Sequence, residues 1–267
     1  MAGSGSEAMR GAVITLVGVS LLLAACGRSV ANVRPLRPSP PPVASTAPGQ
    51  PGQPGQPAAQ LPDGPALLAR LRERLARTTG VEVEVKASSS GSYYGGKRVA
   101  QERSSASRSR MTWVKTGKLR AQVLESSTPM LAGSVLVMTS PTQVRVKGAG
   151  ALGLVPISMR PTDTRLITNR NHYFTDNHPI AHLQRLTAPG AVWEGVKALP
   201  VAPQASWVAI SGVRRLDAEL TRELLALDAG TLQPTAMAMM VAERPVVTFQ
   251  FLRFSWDAAP PESTFRL

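Results

Sequence analysis

Three histidines, the whole complement of the chain, lie in one stretch, His172-Tyr-Phe-Thr-Asp-Asn-His-Pro-Ile-Ala-His182, with Asp176 between them. His178 and His182 are four residues apart, which on a helix puts both imidazoles on one face, as in paired zinc ligands. Zinc hydrolases of that kind carry a glutamate beside the first histidine, and Pro179 stands there instead. The ordinary reading is a set of polar residues at a loop-to-helix entrance, with no metal. A second stretch, Gly91-Ser-Tyr-Tyr-Gly95-Gly96-Lys97-Arg98, approaches a phosphate-binding loop. Arg98 replaces the Ser or Thr that would hold magnesium, and a strand pattern follows rather than a helix, so a Gly- and Tyr-rich hairpin tip is the better reading. No Gly-x-Ser-x-Gly elbow is present, and Asp163, Asp176, Asp217 and Asp228 are dispersed. The expectation is a protein that is not an enzyme and uses neither cofactor nor metal.

The one cysteine, Cys26, has different chemistry in view. It ends an apolar run that follows Arg10, and a basic flank, an apolar stretch and small residues are the parts of a secretory signal. Roughly 15 apolar residues at 1.5 Å each fall short of a ~30 Å hydrocarbon core, which disfavours a stable span. Leu23-Ala24-Ala25-Cys26 resembles the lipobox of bacterial lipoproteins, which implies a lipid on the Cys26 sulfur and cleavage between Ala25 and Cys26. Met9-Arg10 makes a more typical signal start than Met1. The plainer alternative for Cys26 is a buried core thiol, to which its place at the end of the run and nowhere else is opposed. A single cysteine excludes an internal disulfide and any Cys-based metal site.

The formal net charge is +13, and it is unchanged without residues 1–25, which hold one Arg and one Glu. Such a charge draws a surface to anionic lipid, acidic polymers or nucleic acid. An export signal disfavours nucleic acid, and scattered arginines are equally what a biased genome composition would leave. The location expected is a cell membrane or outer membrane, with the domain facing periplasm or exterior.

Three regions must carry these features: a signal peptide over residues 1–25, a lipidated Cys26 with a disordered tether over 26–62, and a β-rich domain over 63–267. A proline triplet, Pro40-Pro41-Pro42, and repeated Pro-Gly-Gln mark the tether; they favour extended chain and leave little to bury. The domain opens with a helix: Asp63 at the cap, Pro65 in the first turn, Leu67, Leu68, Leu71 and Leu75 at helical spacing, and Gly80 as the stop. Val81, Val83, Val85 and Ala87 then alternate with polar residues as a strand does. Further strands are predicted at Arg98–Ser107, Arg110–Lys115, Lys118–Glu125, Ser134–Thr139, Thr142–Lys147, Trp207–Val213, Glu219–Asp228, Thr235–Ala242 and Val246–Trp256. Turns are expected at Thr116-Gly117, Ser140-Pro141, Ala229-Gly230 and Arg244-Pro245. Gly148 to Pro203 is less regular, with a short helix at Ile180–Leu186. The fold class expected is α+β: an N-terminal helix, then a strongly curved antiparallel sheet of roughly nine or more strands, an open barrel with helical cover.

This order of elements resembles the LolA/LolB-like lipoprotein carrier superfamily, and its centre resembles an uncharacterised branch of it. The residues that carry the likeness run from Gln143-Val-Arg-Val-Lys-Gly-Ala-Gly150 through Leu152-Gly-Leu-Val-Pro-Ile-Ser158 and Pro161-Thr-Asp163. They continue in Asn169-Arg170-Asn171-His172, Ile180-Ala-His-Leu-Gln-Arg-Leu186 and the closing Phe254-Ser-Trp-Asp257 to Glu262-Ser-Thr-Phe265. The resemblance spans 63–267 at the level of the fold. It implies an unclosed barrel whose concave apolar face holds an acyl chain. The soluble carrier of the superfamily is not anchored, so a chain lipidated at Cys26 looks more like its receptor-type or scaffold-type members.

Adaptable Met237, Met239 and Met240 and the alternating Val247, Phe249 and Phe251 suit such a face, while Leu252, Phe254 and Trp256 read as apolar on the opposite side. Candidate lipid-lining residues are Trp113, Met237, Met239, Phe249 and Phe251; the alternative is that all of them fill a two-sided core. Two functions stay open at this point: binding of a lipid or of a lipoprotein's acyl chain without chemistry, or an envelope scaffold or sensor that binds a protein partner.

Overall fold

The computed structural model describes residues 63–153, 155–188, 208–211, 219–228 and 230–267. The signal peptide, Cys26, the tether, and Trp207, Gly212 and Val213 of one predicted strand lie outside these residues. Helix α1 (Gly64–Arg77) leads into strands β1 (Gly80–Tyr94), β2 (Lys97–Val114), β3 (Leu119–Ser126), β4 (Val135–Ser140), β5 (Gln143–Lys147) and β6 (Ile157–Met159). Helix α2 (Pro179–Thr187) follows, then β7 (Val208–Ser211), β8 (Arg222–Leu227), β9 (Pro234–Val241) and β10 (Arg244–Trp256).

All ten strands form one antiparallel sheet in the order β6-β5-β4-β3-β2-β1-β10-β9-β8-β7. The first strand pairs with the last, so two hairpin series are joined at the centre, and the outer strands β6 and β7 leave the sheet open. This is the predicted open α+β architecture, with one short strand, β6, that the irregular central region conceals.

Four local expectations are corrected. Arg98–Ser107 and Arg110–Lys115 form one strand, β2, because Arg108 and Ser109 stay in register with Lys86 and Val85 across the ladder. The helix ends at Thr78, whose hydroxyl donates to Arg74 O at 2.8 Å, and Gly80 instead begins β1. A Cβ at Gly80 would lie 2.3 Å from Ala258 O, so the close approach of the C-terminal chain requires glycine. The turn before β10 falls at Ala242 and Glu243, with Ala242 at φ 52°, and Pro245 lies inside the strand beside a register shift. Pro tolerates such an irregular site because its missing N–H disturbs no ladder bond there. Finally, Phe254 and Trp256 lie on the same face as Phe249 and Phe251. The ladder shifts register between Glu84 and Val85, Leu252 being the extra residue, and a β-bulge of one residue reverses the alternation beyond it.

The predicted hairpin tip is present: Tyr94 pairs with Lys97 around Gly95 and Gly96, at φ 54° and 78°. Two consecutive positive φ values define a tight turn that suits the strand twist.

One face of the sheet carries the core. Leu67 and Leu71 of α1 and Ile180, Leu183 and Leu186 of α2 pack in a single cluster with Val81, Val83, Val85, Leu119, Leu136, Leu225 and Phe249. The opposite face has its own cover at one end. The C-terminal tail, with a short 3-10 helix at Glu262–Phe265, lays Phe265 on Val135 and Val137, and Arg120 donates to Thr264 O and Arg266 O, both at 3.1 Å.

Candidate functional site

Register places the apolar face in rows that cross the strands. Leu119, Trp113, Val81 and Trp256 form the first row, Ala121, Met111, Val83 and Phe254 the next, then Val85 with Phe251. Farther along, Ala87, Phe249, Met237 and Leu225 align, and beyond them Ser89, Val247, Met239 and Glu223. From Val81 to Ser89 this track is about 25 Å long at roughly 3.3 Å per residue. All five candidate residues therefore share one face: Phe249, Met237 and Met239 sit together, and Phe251 and Trp113 lie toward the Trp256 end.

Their burial differs. Trp113, Met237, Met239 and Phe249 are buried beneath the helices, whereas Phe251, Phe254 and Trp256 are half-buried. The β9 ladder reaches β10 only as far as Gln250, paired with Ala236, so the last aromatics run past it. Phe251 and Phe254 pack edge to face at 5.5 Å, and Phe254 and Trp256 at 4.6 Å, the arrangement the ring quadrupoles favour. Arg74 of α1 lies 5.7 Å above the Trp256 ring and pairs with Asp257 at 2.7 Å. This aromatic end of the apolar face is only half covered.

The other end is polar. His178 caps α2, its Nδ1 accepting from Ala181 N at 3.2 Å. One turn on, His182 Nε2 faces Asn177 Oδ1 at 3.0 Å and donates to it, which leaves Nδ1 to accept from Arg185. Arg185 also donates to Glu223 Oε2 at 3.3 Å and to Asp176 O at 2.8 Å, and the His182 ring packs 5.2 Å from Phe249. Burial drives both imidazoles toward the neutral form, reinforced by the Arg185 charge, with His178 lowered to about 3 and His182 to about 4. Burial alone would raise the Glu223 carboxyl, but its polar and charged surroundings, the Arg185 guanidinium among them, more than offset it and hold the group below its ordinary range.

His178 thus caps α2 and His182 packs it on Phe249 of β10, while Arg185 ties it to Glu223 of β8. Among the described residues no group of three His, Cys, Asp or Glu is placed to hold a metal. Sequence reading missed Glu223, Asn177 and Arg185; the one available signal was an acid inside the apolar stretch Arg222–Leu227. The opposite face of the sheet carries a groove of about 580 Å³, lined by Lys86, Ser88, Arg108, Glu125, Thr248 and Gln250 among others. Beside it, buried Glu84 accepts from Arg108 at 2.8 Å. The groove's lining is mostly serine, threonine and charged residues, where the helix-covered face carries large apolar ones.

Among the described residues no helix is long and apolar enough to cross a membrane. No protein-family model and no curated protein matches the chain. Solved structures with a similar arrangement include an uncharacterized conserved protein of Thermus thermophilus, 11% identical over 75% of this chain and 91% of that one, with a TM-score of 0.44. A DUF1329 family protein of Desulfovibrio piger is 8% identical over 75% and 95%, with a TM-score of 0.38. A LolA superfamily protein of Nitrosomonas europaea is 11% identical over 76% and 97%, with a TM-score of 0.32. The neighbours of this chain among solved structures thus include LolA superfamily and DUF1329 family proteins.

Proposed function

We propose that the chain is a cell-envelope lipoprotein, tethered by a lipid on Cys26, whose open sheet binds a lipid or the acyl chain of a lipoprotein without catalysis. The observation that carries this reading is the half-covered series Phe251, Phe254 and Trp256 at the mouth of a continuous apolar track. Burying about 300 Å² of acyl surface at about 25 cal/mol per Å² contributes on the order of 7 kcal/mol before ordering costs. Leu67, Leu71, Ile180 and Leu183 occupy the deeper track, so a chain entering from the mouth takes their place as the helices yield. The candidate residues Trp113, Met237, Met239, Phe249 and Phe251 are the walls it then meets.

The same filled interior supports a second reading, a scaffold or sensor that uses the fold to bind an envelope protein. Native mass spectrometry separates the two. The mature chain with Cys26→Ala, which takes no covalent acyl group, is incubated with bacterial envelope lipid extract. A stoichiometric lipid adduct that is lost in Phe254→Arg, with the fold intact, supports lipid binding; a clean protein mass throughout supports the scaffold.

A further inference from the structure

The polar end of the track holds three buried side-chain atoms that have no hydrogen-bond partner among the described residues: Asn177 Nδ2, Arg185 Nε and Glu223 Oε1. Buried polar atoms are nearly always paired, and each exception calls for a cause. All three surround one ring, Asn177 at the Nε2 edge of His182 and Arg185 with Glu223 at its Nδ1 edge. They adjoin the apolar wall directly, since Glu223 pairs with Met239 across the ladder and His182 packs on Phe249.

The unused valences are specific. Two are donors, from the Asn177 amide and the Arg185 guanidinium, and one is a carboxylate acceptor. Arg185 and Glu223 cancel in charge, and His178 and His182 are held neutral by burial. The set therefore has no net charge to offer a ligand. A carboxylate or phosphate only accepts hydrogen bonds, so it would leave Glu223 Oε1 facing a second anion in a desolvated place, which is costly. A head that both accepts and donates matches the set without that cost.

We propose that the Asn177, Arg185 and Glu223 set recognises the uncharged polar head of an amphiphile, a glycerol ester or an amide, whose chain runs along the track toward Phe251 and Trp256. This deepens the lipid-binding reading, for a free lipid rather than a lipoprotein's acyl chain, and rests on it. The head is seated inward and the tail points to the mouth.

The test uses three ligands with the same chain, oleate, monooleoylglycerol and oleamide, competed on the mature Cys26→Ala chain by native mass spectrometry at neutral pH. Monooleoylglycerol and oleamide are expected to be retained at least tenfold over oleate. Glu223→Gln, nearly isosteric, leaves the Arg185 charge unopposed and is expected to swing the preference toward oleate. Asn177→Leu is expected to weaken the two neutral ligands about tenfold while leaving oleate unchanged, with melting temperature and near-UV circular dichroism confirming the fold. Binding of all three ligands with equal occupancy, or a preference that neither variant moves, overturns the head-group assignment and leaves the lipid reading standing. Failure of every ligand to bind overturns both.

Discussion

His182 of α2 and Glu223 of β8 face each other at 3.6 Å with both side chains almost wholly buried. Arg185 stands between them as donor to each. This contact ties the short cover helix to the sheet and sets its response to acid. The folded pKa values, about 4 for His182 and about 3 for His178, lie below the ordinary 6.5, so between those limits the unfolded chain binds more protons. Stability is therefore fully present above pH 6.5 and is lost as pH falls toward 4 and 3. For His182 alone the loss is about 3 kcal/mol. The lowered Glu223 carboxyl adds to it with the same sign below its ordinary range. Urea unfolding from pH 7.5 to 4 should show this decline, and His182→Gln should reduce the slope; an unchanged slope in that variant would remove the explanation.

The bulge at Leu252 makes a pair of predictions. Its side chain is 40% exposed, so Leu252→Ala should alter stability by no more than about 0.5 kcal/mol. Deleting the residue removes the bulge and restores strict alternation, with Phe254 and Trp256 still on the inner face. The deletion should therefore change stability by no more than about 1 kcal/mol, and the aromatic series should keep its burial. Denaturant titration of the two variants checks both statements.

At Gly80 the added methyl group would overlap the carbonyl oxygen of Ala258, and Trp113 O lies at 3.0 Å from the same point. Both obstacles are backbone, so neither can rotate away. Gly80→Ala should lower stability by about 2 kcal/mol and loosen the bond from Ala258 N to Gly80 O, 3.1 Å long. Hydrogen exchange at Ala258 is the direct readout, with protection lost in the variant.

Local periodicity made much of this architecture legible. Leu67, Leu68 and Leu71 announce α1, and Val81, Val83 and Val85 announce β1, because each pattern reflects one buried face. The common face of Phe249 and Phe251 was equally readable. An inserted bulge residue leaves no mark in composition, and so Phe254 and Trp256 were assigned to the wrong side. The polar set was hidden for another reason: His182 and Glu223 are separated by 41 positions in the chain, and only the sheet register brings Glu223 beneath α2. Pro245 misplaced a turn because proline marks irregular strand sites as well as loops.

In the proposed complex a lipid chain lies along the helix-covered face and leaves at the aromatic mouth. Photocrosslinking tests it most directly, with a glycerolipid bearing a diazirine near the end of its acyl chain, bound to the mature Cys26→Ala protein and mapped by peptide mass spectrometry. Crosslinks are predicted at Phe251, Phe254 and Trp256, the residues that border the mouth. Crosslinks confined to Lys86, Thr248 and Gln250 on the opposite face, or none above an unfolded control, would contradict the account.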